Sequence, residues 1–258
     1  MNNTNAQHPE MPGSEHFDVL IIGAGISGIG AAHHLKESCP GKSFVMLETK
    51  ASFGGTWRQH TYPGIRSDSD LYTFGYGFKP WTGRPIADGD AILDYLEEAI
   101  EDDHIDQHIR YQHEVISASW SGDEAKWLIT ARRNDSGETV LFTCNFLWMC
   151  QGYYRHAEGY TPQWPGMEDF KGPIIHPQTW PEDLDYKDKR VLVIGSGATA
   201  ATLIPNMADE CSHITMLQRS PTYFWTGENR NELADQLREL EVPEEWVHDI
   251  VRRSILKQ

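Results

Sequence analysis

An α/β fold built on two parallel βαβ units is predicted for this 258-residue chain by three observations. The run Phe17-Asp-Val-Leu-Ile-Ile22, rich in β-branched residues, ends in the glycine turn Gly23-Ala-Gly-Ile-Ser-Gly28 and opens onto a helical pattern. The same grammar returns at Arg190-Val-Leu-Val-Ile194 and Gly195-Ser-Gly-Ala-Thr-Ala200, with first glycines 172 residues apart. Each unit closes on a second apolar run, Ser43 to Glu48 and His213 to Arg219, at the spacing of a parallel crossover.

Taken in order, residues 1–16 are polar, carry Pro9, Pro12 and Gly13, and read as a disordered tail. Strand 17–22, a helix over 26–38 and strand 43–48 make the first unit. Gly54 to Arg84 is loop-rich and aromatic. Asp90 to Asp103 has an amphipathic helical pattern, and its acidic run (Glu97, Glu98, Glu101, Asp102, Asp103) reads as a solvated face. Strands are expected near Glu114 to Trp120, Trp127 to Arg132 and Thr139 to Met149. Tyr160-Thr-Pro-Gln-Trp-Pro-Gly166 has the composition of an interdomain linker. Beyond the second glycine turn a helix runs to about Asp209. After Pro221 the chain turns helical again, with Leu233, Leu237 and Leu240 on one face and Trp246, Ile250 and Val251 on another, both expected to lack a partner. The expected domains are 17–155, a linker over 156–168, a second domain over 169–222, and the start of a helical subdomain over 223–258.

Composition excludes several classes of function. With 22 basic against 38 acidic side chains the formal charge is −16, which disfavours a general affinity for nucleic acid or anionic membrane. No apolar run approaches the roughly 20 residues of a spanning helix, and the polar start lacks a signal-peptide core. A soluble, cytoplasmic protein is expected. Cys39, Cys144, Cys150 and Cys211 are scattered, which disfavours a disulfide or zinc framework. The histidines, the His33-His34 pair included, show no ligand spacing and are expected to face solvent or pack, so no metal is expected.

A glycine turn at the mouth of a parallel sheet lets a pyrophosphate approach the backbone and rest on a helix N-terminus. Gly23 makes the turn, Gly25 permits close approach and Gly28 lets helix and strand pack. Ser27, in the first helical turn, can reach the phosphates or simply cap the helix. Glu48 stands where a carboxylate accepts ribose hydroxyls, so the first unit suits FAD or NAD. Counting from the first glycine of each unit, Glu48 falls at +25 and Arg219, beside Ser220, at +24, so a cation replaces the anion at the second strand's end. A carboxylate there would repel a 2′-phosphate and an arginine fork binds one, which points to NADPH. Ala200 replaces the third glycine, an allowed variant. Two Rossmann-like, dinucleotide-binding βαβ domains in one chain are the architecture of two-domain flavoproteins in which a nicotinamide reduces a flavin. The glycine pair Gly54-Gly55 leads to Thr56 and Trp57 with no cysteine, which disfavours a disulfide reductase.

Two further segments carry a resemblance. Phe170-Lys-Gly172-Pro-Ile-Ile-His176-Pro-Gln-Thr-Trp180-Pro181 matches FxGxxxHxxxWP, and Gly55-Thr-Trp57-Arg-Gln-His-Thr-Tyr62-Pro63-Gly64-Ile-Arg66-Ser67-Asp68 matches GxWxxxxYPGxxxD. Both are signatures of the Baeyer–Villiger monooxygenases, class B flavoprotein monooxygenases, and the chain most resembles their mycobacterial ethionamide-activating branch. The resemblance implies FAD on Gly23, Gly25, Ser27, Gly28 and Glu48, with Thr56, Trp57, Arg58 and Gln59 along the flavin and backbone contacts to adenine from the strand of Val115. It implies NADPH on Gly195, Ser196, Gly197, Ala198, Thr199, Ala200 and Ala201 with Arg219 and Ser220, and Arg66, Ser67 and Asp68 between the two rings. The implied chemistry is capture of O₂ as a C4a-peroxyflavin that attacks a ketone, inserting one oxygen to give an ester or lactone, or that oxidises sulfides or thiocarbonyls.

Asp68 would orient an arginine near the flavin, with a turn aspartate as the alternative. His176 is either a catalytic residue or a structural one in a segment joining domains. The N- and S-oxygenating flavin monooxygenases share the architecture but usually have Phe or Tyr at the position of Trp180. A non-catalytic nucleotide-binding redox protein is the other alternative. The family's active-site arginine lies in a second half with no counterpart here. The chain therefore reads as a truncated, N-terminal portion, inactive on its own, whose partner would be the missing C-terminal half.

Overall fold

The computed structural model describes residues 13–224 and 226–257. Along the chain lie β1 (Glu15–Ile22), α1 (Ile26–Ser38), β2 (Phe44–Leu47), α2 (Thr56–Gln59), α3 (Leu71–Phe74), α4 (Gly89–Asp102), β3 (Ile109–Arg110), β4 (His113–Ser121), β5 (Lys126–Arg133), β6 (Thr139–Met149), β7 (Arg190–Ile194), α5 (Ala198–Met207), β8 (His213–Leu217), α6 (Glu232–Glu239) and α7 (Glu244–Ile255). They form two compact units, Met1–Thr56 with Leu96–Tyr154, and Trp57–Tyr95 with Arg155–Gln258.

The first unit is a six-stranded mixed sheet in the order β3-β2-β1-β6-β5-β4. β1 lies between β2 and β6, parallel to both, with Leu20 opposite Val45 and Leu147. The antiparallel pairs β5–β6 and β4–β5 extend the sheet on one side. Val19, Leu20 and Ile21 are all buried. Strands covered on both faces read as continuous apolar runs, and this one does. The core joins Leu20, Val45 and Leu47 to Ile129, Ala131, Phe142 and Cys144.

β1 begins two residues earlier than expected, inside the segment read as a tail. Glu15 accepts two 2.6 Å bonds from Arg110, and His16 Nδ1 lies 2.9 Å from the Thr143 hydroxyl, so side-chain pairing extends the ladder. The rest of that expected tail, residues 1–12, lies outside the described residues.

The second unit holds the parallel pair β7–β8, in register from Arg190 opposite His213 to Ile194 opposite Leu217. Its core is Tyr62, Leu203 and Met207, flanked by Ile65, Trp180, Tyr186, Val191, Cys211 and Ile214. Residues 57–95 group with the second glycine unit, with Tyr62 packed on α5 and residues 72–81 bonded to α7.

The expectation that the apolar faces of the last two helices lack a partner is corrected in part: Leu240, Trp246 and Ile250 are exposed, but both helices are anchored. Asn231 caps α6 by accepting from the Ala234 amide at 3.0 Å. α7 buries Val247, His248 and Val251, and its Trp246 and Ile250 are exposed. The buried face is set by polar anchoring. Arg252 donates to the carbonyls of Tyr72, Thr73 and Gly75 at 2.9, 3.1 and 3.1 Å, and His248 Nδ1 accepts from the Trp81 amide at 3.0 Å. Arg238 of α6 adds bonds to Glu244 and to the Tyr72 hydroxyl. No described helix is long and apolar enough to cross a membrane.

Candidate nucleotide sites

The first glycine turn is pinned by three strand ends. The Gly23 amide donates to the Leu47 carbonyl at 2.8 Å, and the Cys150 amide donates to Ile22 at 2.9 Å. Gly23 has φ +100°, and a β-carbon there would lie 2.8 Å from the Cys150 carbonyl oxygen. At Gly28 a β-carbon would fall onto the Gly23 carbonyl oxygen, so helix and turn approach as no other residue permits. Gly25 is the N-cap of α1 with φ −85° and ψ −172°, and supplies no side-chain cap. Ser27 is exposed in the first turn above it.

Glu48 follows β2 directly and is buried beside this turn. Its Oε2 accepts from the Ala24 amide at 2.8 Å and its Oε1 from the Lys50 amide at 2.9 Å. A carboxylate oxygen that accepts one amide keeps a lone pair for another donor. A cradle that a β-carbon would fill, an α-helix N-terminus and a fixed carboxylate together fit a dinucleotide at this turn.

Gly54 and Gly55 complete it and were not singled out as contributors to it. The Gly54 amide donates to the Ala24 carbonyl at 2.9 Å. Both have positive φ, +115° and +53°, and a β-carbon on Gly55 would lie 3.2 Å from Gly25 Cα. Backbone therefore lies directly on backbone. The readable signal was the glycine pair itself, six residues after Glu48.

The second turn repeats two backbone bonds of the first. The Gly195 amide donates to Leu217 at 2.9 Å, as Gly23 does to Leu47, and the Ala201 amide to Gly197 at 3.0 Å, as Ile29 does to Gly25 at 3.1 Å. Gly197 caps α5 with φ −80° and ψ −174°, close to the values of Gly25. The surroundings differ: a β-carbon on Gly195 or Gly197 meets nothing within 4 Å, although the φ of +120° still favours glycine at 195. Ser196 Oγ lies 2.7 Å from the Thr222 hydroxyl. Ala198 starts α5, Thr199 bonds the Tyr62 hydroxyl, and Ala200 is buried against the turn. Arg219 and Ser220 are exposed just beyond β8. Residues able to hold a second nucleotide are thus present, with Gln218 in the position that Glu48 takes at the first turn and the cation Arg219 one residue further.

The two signature segments meet in part. Tyr62, its phenol held above its ordinary range by burial, packs with Trp180 around α5, and Gly64 (φ +76°) backs onto the Asn206 side chain. Gln59 Nε2 donates to the Gln178 carbonyl at 3.1 Å. Trp57 meets Phe74 edge-on, with ring centroids 6.0 Å apart. No side chain of the single turn α2, which holds Thr56, Trp57, Arg58 and Gln59, is buried. Phe170 and Gly172 are exposed.

His176 caps the 3₁₀ turn 177–179: its Nδ1 accepts from the Gln178 amide at 3.2 Å, which fixes the tautomer with hydrogen on Nε2. Arg66 Nε lies 3.1 Å from Asp68 Oδ1, and both side chains are exposed. Ser67 is buried, its Oγ donating to Ser69 O at 2.9 Å. Val115 sits at a bulge of β4 against the first core. A cleft of about 450 Å³ lies beside Trp180, Glu182 and Tyr186, and neither glycine turn lines it.

All four cysteines are free. Burial pushes the Cys144 thiol up to about 11 and raises that of Cys150, so neither offers a thiolate near neutrality.

Comparison with known proteins adds the family context. The model of the family described as flavin-binding monooxygenase-like matches residues 86–228, and that of an NAD(P)-binding Rossmann-like domain matches 21–98. The FAD-containing monooxygenase EthA of Mycobacterium tuberculosis is 52% identical over 248 residues, 95% of this chain and 50% of that protein. The probable FAD-binding monooxygenase AlmA of an Acinetobacter species is 50% identical over 82% of this chain and 43% of its own. A crystal structure of a cyclohexanone monooxygenase mutant from Rhodococcus sp. Phi1, bound to NADP⁺, shares 29% identity at a TM-score of 0.77, covering 91% of this chain and 45% of that one. The chain spans about half the length of the curated relatives it matches.

Proposed function

The chain belongs to the flavin-binding monooxygenase-like family, and from that premise we propose that it forms the FAD- and NADPH-binding part of a Baeyer–Villiger-type monooxygenase. The reaction is insertion of one oxygen atom from O₂ into a ketone, giving an ester or lactone, with oxidation of sulfides or thiocarbonyls as a second outlet. One observation carries the cofactor assignment: two glycine turns that share two backbone bonds are followed by opposite charges, buried Glu48 directly after one second strand and exposed Arg219 two residues after the other. The oxygen-insertion reading rests on the FxGxxxHxxxWP segment and on the likeness to cyclohexanone monooxygenases.

Bound FAD supplies the oxygen chemistry, with NADPH as electron donor. Gly25 and Gly28 open the N-terminus of α1 to a pyrophosphate, and Ser27 adds a hydroxyl there. Glu48 keeps lone pairs for ribose hydroxyls while its amide bonds hold it in place. Thr56, Trp57, Arg58, Gln59 and the Val115 backbone are the proposed flavin contacts. At the second turn, the segment Gly195 to Ala201 receives the other pyrophosphate, and Arg219 with Ser220 binds the 2′-phosphate as a charge-assisted pair. Arg66, Ser67 and Asp68 are proposed at the meeting of the two rings, where the Arg66 and Asp68 charges would face the reacting atoms. His176, whose Nδ1 accepts from the Gln178 amide, orients the segment that ends in Trp180.

The test has two arms. Titration of the purified chain with FAD and then with NADPH or NADH reads the cofactor assignment, and failure to bind FAD, or equal affinity for the two nicotinamides, overturns it. Ketone-dependent NADPH consumption with ester or lactone formation, by a protein carrying this chain joined to a family C-terminal half, reads the chemistry. Oxygenation confined to amines or sulfides overturns the ketone assignment.

A further inference from the structure

We propose that the exposed end of α1 carries a binding site for a borderline divalent transition-metal cation, with Zn²⁺ as the representative, formed by His33, His34 and Glu37. The site is independent of the nucleotide reading, and it runs against the expectation that these histidines show no ligand spacing. That expectation considered separations along the sequence; the helix supplies the rest. Residues three and four apart share a helix face, and Glu37 stands at those distances from His34 and His33.

The geometry is close to that of a bound ion. Glu37 Oε2 lies 3.8 Å from His33 Nε2 and 3.7 Å from His34 Nδ1. One ligand atom from each of the three residues falls within 4.8 Å of the other two. Ligand atoms around a tetrahedral zinc, each about 2.05 Å from the metal, stand ~3.3 Å apart. Rotations about side-chain torsions on an exposed helix face close that difference. Two imidazoles and one carboxylate select the borderline metals over Mg²⁺ and Ca²⁺, which take oxygen ligands.

A fourth residue supplies the orientation that ligating histidines generally need. Asp103, one residue past α4, lies with Oδ2 2.5 Å from His33 Nδ1. A carboxylate there takes the Nδ1 hydrogen, which leaves the lone pair on Nε2, the atom facing Glu37. The Lys36 ammonium donates to the Asp103 backbone carbonyl, and the carboxylate takes the imidazole. His33 is mostly covered, with a side-chain exposure of 16%, whereas His34 and Glu37 are open to solvent at 61% and 67%. One ligand is therefore held by Asp103 and covered, and the other two stand where an arriving ion can reach them. With three protein ligands, the remaining coordination positions fall to water.

The test is calorimetric titration of Zn²⁺ into the metal-stripped, tag-free chain near neutral pH. The wild type is expected to bind one Zn²⁺ per chain. His34→Ala and Glu37→Gln change exposed side chains, so they leave the fold intact and weaken binding ~tenfold or more. Asp103→Ala is expected to weaken it ~10–100-fold, with Asp103→Asn, whose amide oxygen still accepts the imidazole hydrogen, falling between wild type and alanine. Wild-type affinity in both His34→Ala and Glu37→Gln, or no saturable binding by the wild type, overturns the site. Equal loss in Asp103→Asn and Asp103→Ala overturns the orienting role.

Discussion

Gly28 and Gly197 are both glycines of a nucleotide turn, yet substitution should injure them differently. A methyl at Gly28 lands on the Gly23 carbonyl, so Gly28→Ala must displace backbone and should cost about 3 kcal/mol of stability. Gly197 has a negative φ and nothing within 4 Å of a β-carbon, so Gly197→Ala should cost only about 0.5–1 kcal/mol, as an N-cap change. Its effect should appear in affinity for NADPH, because the methyl enters the space a pyrophosphate needs. Urea melts set against nucleotide titrations separate the two outcomes. Arg219→Glu should invert the nicotinamide preference, weakening NADPH by at least about tenfold while sparing NADH, as a charge-assisted bond of about 1.5–3 kcal/mol is replaced by repulsion. Equal loss for both nucleotides would remove Arg219 from the 2′-phosphate. Residues of this kind were legible because their chemistry is local: the glycines, Glu48 and Arg219 stand at fixed offsets from a strand end. Glu48's hold on the Ala24 amide was not legible, since it depends on where two loops meet in space.

Among the elements, α7 shows most clearly what periodicity omits. Its apolar residues suggested a face through Trp246, Ile250 and Val251; of these Val251 is buried, and the buried face runs on through Val247 and His248 while Trp246 and Ile250 are exposed. Arg252 decides the rotation by closing the carbonyl end of α3, which no hydrophobic pattern encodes. Arg252→Ala should destabilise the second unit by about 2–3 kcal/mol, observable as a lower melting temperature. His248 adds a pH dependence. Burial, and then the Arg252 charge, hold its imidazole below the ordinary range, against smaller opposing effects from Tyr76 and Asp249. The unfolded chain therefore takes up this proton first, and stability falls as pH drops below about 6.5. His108, also lowered by burial, acts in the same direction. His248→Gln should flatten, without abolishing, the decline in melting temperature between neutral and mildly acidic pH; an unchanged slope would exclude His248 as a contributor. The strands were far easier to read: β6 and β7 fall where β-branched and aromatic runs lie between turn residues.

For the whole molecule, the two units present sheets of unequal completeness. β1 is flanked by strands and covered on both faces, whereas β7 and β8 pair only with each other among the described residues. Leu192, Ile194 and Leu217 are each more than half exposed on that pair. Parallel sheets are stable when both faces are covered, and two strands alone are marginal. The isolated chain should therefore bind a hydrophobic dye and self-associate with rising concentration in light scattering, and Leu192→Lys with Ile194→Lys should suppress both. A monodisperse, dye-silent chain would contradict this. The division into units was only partly legible, because Tyr62 meets α5, and residues 72–81 meet α7, across long stretches of sequence.

The contact of Gly54 and Gly55 with the first turn also gives the protein a native reporter. The Gly54 hydrogen is donated to Ala24, so its replacement by deuterium from solvent requires that the two backbone segments part. An isotope-exchange rate at that single amide, measured with and without a bound nucleotide, would time the opening of the cradle without any label or substitution.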